Sequence, residues 1–386
     1  MSAVLSVPNF PFFIGTIDPK VGGDVPEPMT FELNIEPQFG LIRQTVDAAK
    51  RDALARVYSL GSMLSTPLGR SELARDRFRA VLDQLTLLLP DGVRGKSMLE
   101  VGCGEGDVLN ELKIMGAKVS GIEIGPQGRR AAERWRIEIY ADPLEECDLP
   151  GQLDCIYSLG CLEHIEDLAP FLAACRRHLR PGGLVFHSVP NFASAMKTLR
   201  KEDLAHQHIN YFTPASATRL LQIEGYTDIG VASNVAGNEL FMWGRYSGRQ
   251  APAKAAAQDI HAATVELSDF ARRLSDSWDA ERRFFDATAG AGRSVGIYAG
   301  GFISAVVLGQ QEYLSFYDGD SSKYGQCWLK GLSPIRDPRT LTANPVDHLV
   351  ISTVHHYGAI TKFLIDIARI PDSIRLHCGF DSVTCN

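Results

Sequence analysis

The sequence predicts an α/β protein with mainly parallel sheets, and three observations lead to this fold class. Apolar segments of strand length alternate with segments of helical periodicity from residue 97 to residue 246. A second alternation of the same kind begins at residue 293. Between the two, an alanine-rich stretch enters a long amphipathic helix at about 258–287. Strands that alternate with helices form right-handed βαβ units, so we expect two Rossmann-like domains.

The N-terminal region is predicted to be an irregular arm followed by helices. Residues 1–40 are rich in Pro, Gly and Phe and show no regular period. From residue 44 to residue 89 apolar side chains recur at helical spacing, and a break at Ser65–Gly69 divides this stretch into two helices.

The two alternations resolve into individual elements. In the first we predict strands at 97–101, 118–122, 153–157 and 183–188, helices at 108–115, 129–135 and 168–179, and a closing antiparallel strand at 238–245. The second, smaller one opens with a strand and a glycine turn at 293–302 and continues through strands at 314–318 and 348–353.

A chain of 386 residues is long enough for two or three domains. The predicted limits are an N-terminal arm with helices at 1–74, a first domain at 75–246, a linker and long helix at 247–290, and a second domain at 291–386.

Composition and charge restrict the class of function. The formal net charge of -7 argues against a general nucleic-acid or anionic-membrane binder. No uncharged run reaches transmembrane length and no signal peptide is evident, so we expect a cytoplasmic protein without a membrane partner. The eight cysteines form no C-x-x-C pair, which disfavours a structural zinc site.

A glycine-rich turn follows the first strand at 97–101. Its key positions are Glu100, Gly102, Gly104 and Gly106. Glycines let the chain turn tightly and let its backbone approach a ligand. The acidic residues Glu100 and Glu105 would repel a pyrophosphate but suit a cationic or zwitterionic ligand. Glu123 ends the second strand, where a carboxylate can accept the ribose hydroxyls of an adenosine.

These residues resemble the class I S-adenosylmethionine-dependent methyltransferases, whose glycine motif is E/D-x-G-x-G-x-G. The segments Cys161–His164 (CLEH) and Arg180–Gly183 (RPGG) match further motifs of that family in its order. The resemblance covers roughly 75–246 and implies S-adenosyl-L-methionine as cofactor. It also implies a third strand just before Asp142 and an adenine contact at Asp142, and we include Ser158 among the cofactor-binding residues.

The whole chain is similar to the sugar C-methyltransferases of deoxysugar pathways. Their C-terminal domain has counterparts here in Tyr298–Gly301, Asp318, Leu349–Thr353 and His355–Gly358. The resemblance implies a small-molecule acceptor such as a nucleotide-linked sugar, with Tyr298 among the substrate-binding residues. Those enzymes bind zinc through N-terminal cysteines, whereas the first 100 residues here contain none, so we expect no metal.

The segment Ala205–Phe212 (AHQHINYF) is similar to a Y-H-E-H-x-x-Y-F segment of that family. The similarity implies that His208 is the general base, that Tyr211 shapes the pocket, and that His206 has a secondary role at the substrate. His164 is expected to border the methyl-transfer pocket, and Asn191 to touch substrate beyond the strand at 183–188.

Ala205 and Gln207 replace the tyrosine and glutamate of the family segment. Their absence weakens the case for abstracting a C–H proton beside a ketone, so O-methylation gains ground without excluding C-methylation.

Other interpretations remain open from the sequence alone. The histidines at 206 and 208 would not share a helix face, and no other ligand cluster is evident, which disfavours metal binding by this pair. Each could also be a loop residue with a hydrogen bond and no catalytic role. The second glycine turn could serve a nicotinamide-dependent oxidoreductase, or the chain could be a catalytically silent scaffold. The acceptor, the methylated atom and the oligomeric state are not determined.

Overall fold

The computed structural model of the protein describes residues 3–12, 15, 16, 18, 25–59, 72–89, 91–247, 254–299, 314–328, 332–352 and 357–379. The chain divides into two compact units. The first consists of Met1–Ser6 and Glu32–Ser268, and the second of Val7–Phe31 and Asp269–Asn386.

The described strands are, in chain order, β1 (Leu5–Phe10), β2 (Met29–Glu36), β3 (Leu41–Arg43), β4 (Ser97–Val101), β5 (Lys118–Ile122), β6 (Glu138–Tyr140), β7 (Leu153–Leu159), β8 (Leu179–Pro190), β9 (Asn210–Tyr211), β10 (Tyr226–Ser233), β11 (Glu239–Tyr246), β12 (Val295–Tyr298), β13 (Leu314–Tyr317), β14 (Ile335–Arg336), β15 (His348–Ile351) and β16 (Arg375–Cys378). The described helices are α1 (Ala48–Ser59), α2 (Glu72–Leu88), α3 (Asp107–Ile114), α4 (Gln127–Trp135), α5 (Leu168–His178), α6 (Phe192–Thr198), α7 (Pro214–Ile223), α8 (Ala257–Gly290) and α9 (Tyr357–Asp366).

The main sheet of the first unit has the order β6-β5-β4-β7-β8-β11-β10. The five strands from β6 to β8 are parallel, and β11 pairs antiparallel with β8, as predicted for the closing strand. The chain order reverses between β4 and β7, so ligand-binding loops are expected at the carboxyl ends of these strands. The predicted Rossmann-like α/β fold of this region is confirmed. The strand β10 was not predicted.

Both faces of the main sheet are covered. Successive side chains of β4 alternate, so that Met98 packs in the core beneath α2 and α3, and Leu99 in the core beneath α5 and α7. Strands buried on both faces read as continuous apolar runs, which is why the sequence predicts them well.

The expectation of an irregular arm at residues 1–40 is wrong for β1 and β2. The strands β1, β2, β3 and β9 form a second sheet in this order. In the β2–β3 hairpin Asn34 pairs with Arg43 and Glu36 with Leu41, and the Glu36 carboxylate accepts the N–H of Phe39 at 2.9 Å. Alternating apolar residues in MTFELNIE carry the strand signal, but the surrounding Pro and Gly residues hide it.

The second unit contains a separate parallel sheet of the described strands, in the order β14-β13-β12-β15-β16. Tyr298, Leu349 and Leu364 belong to its core. Gly300, Gly301, His355 and His356 lie outside the described residues. The parallel sheet agrees with a second Rossmann-like domain, which stays a prediction, as do the domain limits.

None of the helices in the described part of the chain combines the length and the apolar character that crossing a membrane requires.

Candidate active site

The glycine turn (residues 102–106) connects β4 to α3. Gly102, Gly104 and Gly106 all have positive φ angles, of 72°, 52° and 72°. Only glycine adopts this conformation without strain. A Cβ on Gly102 would lie 3.0 Å from Sγ of Cys161. The turn is therefore set by its own backbone and packed against the segment that follows β7.

Glu123, which directly follows β5, is held at this turn by two backbone donors. Its Oε2 accepts the N–H of Gly104 at 2.9 Å, and its Oε1 accepts the N–H of Gly125 at 2.7 Å. A carboxylate has about four lone-pair sites, so each oxygen can accept a further hydrogen bond. The structure thus places Glu123 where a diol beside the turn would find an acceptor.

The two other acidic residues of the turn, Glu100 and Glu105, contribute less negative charge to the site than the sequence suggests. Glu100 is buried and accepts a hydrogen bond from the Tyr157 hydroxyl at 3.1 Å. Burial, reinforced by nearby Asp107 and Glu123, raises the pKa of Glu100 to about 8, although the Tyr157 bond opposes this shift. Glu105 is paired with Arg130 at 2.6 Å. The expected attraction of a cationic ligand therefore rests mainly on Glu123.

Two further predicted cofactor residues have different surroundings. Asp142 follows β6 and is exposed, so its carboxylate is available to a ligand. Ser158 is fully buried within β7, and its hydroxyl lies 2.8 Å from Nδ1 of His187 on β8. The Ser158 hydroxyl thus already has a partner in the sheet.

Two segments bring the predicted catalytic histidines together. His164 ends a short 3-10 turn after β7, and His208 lies in the histidine loop (residues 204–209) before β9. The N–H of Ile209 donates to the carbonyl of Glu163 at 2.8 Å, and the Asn210 amide donates to the Ile165 carbonyl at 2.7 Å. The imidazole centroids of His164 and His208 are 5.1 Å apart as a result.

The environment keeps both imidazoles neutral. Burial lowers the pKa of His164 to about 4. Burial, with a smaller effect from His164, lowers the pKa of His208 to about 3. Nδ1 of His208 lies 3.3 Å from the Asp203 carbonyl, and this contact assigns the hydrogen to Nδ1 and leaves Nε2 with a lone pair. His208 can accept a proton, but it is a weaker base than an exposed histidine.

Tyr211 and His206 take part in shaping the histidine loop. The Tyr211 hydroxyl donates to the Ala205 carbonyl at 2.9 Å and accepts the Ala205 N–H at 3.1 Å. Its ring lies 6.1 Å from that of His208. His206 is fully buried, and its Nδ1 lies 3.3 Å from Oε1 of Gln44.

The remaining predicted substrate residues are placed differently. Asn191 caps α6 by accepting the Ser194 N–H, and its amide donates to Ser233 and to the Gly237 carbonyl. Both ends of that side chain thus serve the fold. Tyr298 belongs to the second unit and is buried, which raises its pKa to about 12.

Two residues near the histidines were missed from the sequence. The hydroxyl of Tyr58, on α1, lies 2.9 Å from Nδ1 of His164. Gln44 contacts the histidine loop from the N-terminal region. Both contacts join residues more than 100 positions apart, so no local pattern could have indicated them.

One group of side chains in the described residues has the separation of metal ligands. Each of Glu163, His164 and His208 offers a ligand atom, and these atoms lie within 4.8 Å of one another. Glu163 is fully buried, and burial raises its pKa to about 8. A cation here would have to displace the proton of that carboxyl group.

Comparison with known proteins identifies the class of the first unit. Residues 73–231 match the family model described as a methyltransferase domain. With the strand order of the main sheet and the glycine turn, this match confirms that the region is a class I, S-adenosylmethionine-dependent methyltransferase domain.

The curated relatives include the ubiquinone biosynthesis O-methyltransferase of Pseudomonas paraeruginosa (strain DSM 24068 / PA7), which is 37% identical over 109 residues, or 26% of this chain and 47% of the relative. That of Pseudomonas putida (strain W619) is 31% identical over 155 residues, or 38% of this chain and 66% of the relative. This chain thus spans about half to two thirds of the length of these relatives.

Among solved structures, the N-methyltransferase NodS from Bradyrhizobium japonicum WM9 with S-adenosyl-L-homocysteine is 19% identical, with a TM-score of 0.39. The match covers 51% of this chain and 98% of NodS.

Proposed function

We propose that the protein transfers the methyl group of S-adenosylmethionine to a small-molecule acceptor, with His208 as general base. The acceptor is a sugar or a nucleotide-linked sugar, and a hydroxyl oxygen is the favoured methylation site. The observation that carries the proposal is the juxtaposition of His208 and His164 in a domain whose glycine turn is held by Glu123.

The glycine turn and Glu123 serve the cofactor in this proposal. The free lone pairs of the Glu123 carboxylate accept the ribose hydroxyls, and the Gly102–Gly106 backbone approaches the methionine portion. Asp142 is exposed next to β6 and is available to the adenine.

The transfer step needs alignment more than chemical activation. The acceptor oxygen forms a bond to the methyl carbon, the carbon–sulfur bond breaks, and its electron pair stays on sulfur to give S-adenosylhomocysteine. The hydroxyl proton passes to Nε2 of His208, which then becomes a cation beside His164. Holding oxygen, carbon and sulfur in line is the main task of the protein.

The lowered pKa of His208 favours oxygen over carbon as the methylated atom. An oxygen becomes strongly acidic as the methyl bond forms, so a weak base can remove its proton late in the step. A carbon beside a ketone must lose its proton first, which calls for a stronger base. Burial lowers the pKa of His208 to about 3, and Gln207 stands where the related sugar enzymes have a glutamate. The names of the Pseudomonas relatives also state O-methylation.

The second unit is proposed to serve the acceptor rather than a cofactor of its own. A nucleotide cofactor would need a free acidic group after β13 for its ribose. Asp318 occupies that position, but it is buried and paired with Lys323 at 2.9 Å, and it also accepts the Asp320 N–H. The burial of Asp318 and its ion pair with Lys323 argue against a nicotinamide-dependent oxidoreductase. Tyr298 stays a proposed acceptor contact.

The test is transfer of tritium from S-adenosyl-[methyl-³H]methionine to a panel of nucleotide-linked sugars, with and without a 4-keto group. We expect label in an acceptor with a free hydroxyl, and mass spectrometry of the product to place the methyl on oxygen. Label on carbon beside a ketone would overturn the O-methylation part alone. Failure to bind S-adenosylmethionine in calorimetry would overturn the whole proposal.

A further inference from the structure

The side chain of Gln44 is buried against the backbone of the histidine loop. It lies between β3 and α1, with 2% of its surface exposed. Its Nε2 is 3.0 Å from the carbonyl oxygen of Ala205, 3.1 Å from that of His206 and 2.6 Å from that of His208. Two N–H groups therefore serve three carbonyl oxygens, so that at least one hydrogen is shared.

The surroundings of the amide fix which way it points. Its Oε1 faces Nζ of Lys50 at 3.4 Å and Nδ1 of His206 at 3.3 Å. A lysine ammonium can only donate, so this end of the amide must be the acceptor. The opposite orientation would turn Oε1 toward three carbonyl oxygens and Nε2 toward a cation. Lys50 is itself buried and also donates to the Thr45 carbonyl at 3.2 Å.

The main chain around Gln44 also forms hydrogen bonds with the histidine loop and with β9, the strand that follows it. Its backbone N–H donates to the Ile209 carbonyl at 2.9 Å. Just before it, Arg43 pairs with Asn210 and Ile42 with Tyr211 in the β3–β9 ladder. Backbone and side chain together thus contact the loop on both sides of His208.

We propose that Gln44 is a positioning residue that holds the imidazole of His208 in place for methyl transfer. The inference rests on the proposed role of His208 as base. Gln44 touches neither cofactor nor acceptor in this proposal and acts through the loop backbone. It makes the N-terminal segment, which lies outside the matched domain at 73–231, a part of the catalytic apparatus.

Loss of the amide should move His208 without unfolding the domain. Gln44→Leu keeps the approximate size but leaves buried carbonyl oxygens without these donors, which favours a shift of the loop toward water. A misplacement of about 1 Å at a catalytic group costs up to about 10²-fold in rate. We therefore expect kcat to fall about 10- to 100-fold while the KM for S-adenosylmethionine stays unchanged.

The first measurement needs no acceptor. In protein with ¹³C,¹⁵N-labelled histidines, NMR follows each imidazole between pH 5 and pH 8. Wild-type His208 should stay neutral throughout, because burial and His164 hold its pKa near 3. The ionisable groups around it are His164, Glu163 and Tyr211, with Asp203 paired to Arg200. In Gln44→Leu the pKa of His208 should rise toward its ordinary value, so that a titration appears in this window.

Two further variants sharpen the result. Gln44→Glu keeps the contact to Lys50 but replaces the donor facing the carbonyls by an acceptor, and it should behave like Gln44→Leu. Gln222→Leu is the matched control, since Gln222 is exposed on α7. If the imidazole of His208 shows no titration between pH 5 and pH 8 in both folded Gln44 variants, the inference is overturned. Failure of both variants to fold would also overturn it, since Gln44 would then be structural only.

Methyl-transfer rates with a nucleotide-linked sugar distinguish a failure of the Gln44 inference from a failure of the proposed role of His208. If Gln44 acts through His208, the His208→Ala,Gln44→Leu double variant should be no slower than His208→Ala alone. Additive losses would overturn the role of Gln44 and leave the base intact. Wild-type turnover by His208→Ala would instead overturn the proposed base, whatever the NMR result for Gln44.

Discussion

The glycine turn and the histidine loop are formed by different physical means. The turn depends on backbone conformations that glycine alone adopts freely, and its partner Glu123 lies about twenty residues away. The histidine loop depends on contacts with Gln44 and Glu163, which come from other parts of the chain. The conformation of the glycine turn is thus determined by residues close together in the sequence, whereas that of the histidine loop is determined by long-range contacts in the folded domain.

In the proposed enzyme, the locally determined glycine turn binds the cofactor, and the histidine loop with its long-range contacts carries the catalytic base. A locally determined turn keeps its shape when distant residues change, which suits recognition of a common cofactor. A loop held by distant contacts can be repositioned by substitutions in the N-terminal region, which suits adaptation to an acceptor. Cys161 lies between the two regions, because it packs against Gly102 and directly precedes the 3-10 turn in which the Glu163 carbonyl accepts the N–H of Ile209 from the histidine loop.

The largest effect should come from the histidine loop. His208→Ala should lower kcat by about 10² to 10⁴-fold, the usual contribution of a general base, while calorimetry shows nearly unchanged S-adenosylmethionine affinity. The pH profile should show no loss from titration of His208 between pH 8 and pH 5, since its pKa of about 3 keeps it neutral there.

His206→Ala is the matched control in the same loop. His206 is fully buried against Gln44 and should affect turnover much less than His208. If both variants turn over within a few-fold of wild type, the loop is structural, and His164 becomes the next candidate for the base.

Much of the fold could be predicted from the sequence, because strands such as β4, β7 and β8 are apolar runs between helical segments. The glycine turn and Glu123 could be predicted for a different reason, because the residues of this motif lie within about twenty positions of one another in the sequence. The strands β1 to β3 were missed because Pro and Gly residues hide their alternation. The neutral state of Glu100 and the contacts of Tyr58 and Gln44 depend on burial and tertiary packing, which no spacing reveals.

The next effect tests the glycine turn. Glu123→Ala should weaken S-adenosylmethionine binding by about 1–3 kcal/mol, because it removes a charge-assisted acceptor from the ribose. Calorimetry measures this loss directly. Glu105→Ala is the control for charge alone, since Glu105 lies in the same turn but is paired with Arg130. Equal losses in both variants would mean that general electrostatics, and not a contact from Glu123, serves the cofactor.

A smaller effect tests how tightly the glycine turn packs against Cys161, which lies between this turn and the histidine loop. Gly102→Ala and Gly92→Ala place a side chain at similar φ angles of 72° and 69°, each costing about 1–2 kcal/mol. Only at Gly102 does the new Cβ meet a neighbour, Cys161, whereas nothing lies within 4 Å of Gly92. Urea denaturation should show the larger loss of stability for Gly102→Ala. Equal losses would show that backbone conformation alone sets the turn and that Cys161 yields without cost.

The smallest expected effect is that of metal removal, for which we predict no change. Elemental analysis of purified protein should show no stoichiometric zinc, and treatment with a chelator should leave the melting temperature unchanged. The first 100 residues contain no cysteine, and the buried Glu163 carboxyl, with a pKa of about 8, is mostly protonated at neutral pH. One metal per chain, with a lower melting temperature after chelation, would contradict this prediction. Glu163→Gln would then test the group formed with His164 and His208, since it should abolish binding there, while His206→Ala should retain the metal. That result would also change the comparison between the two regions, because His208 would then be a metal ligand rather than a base.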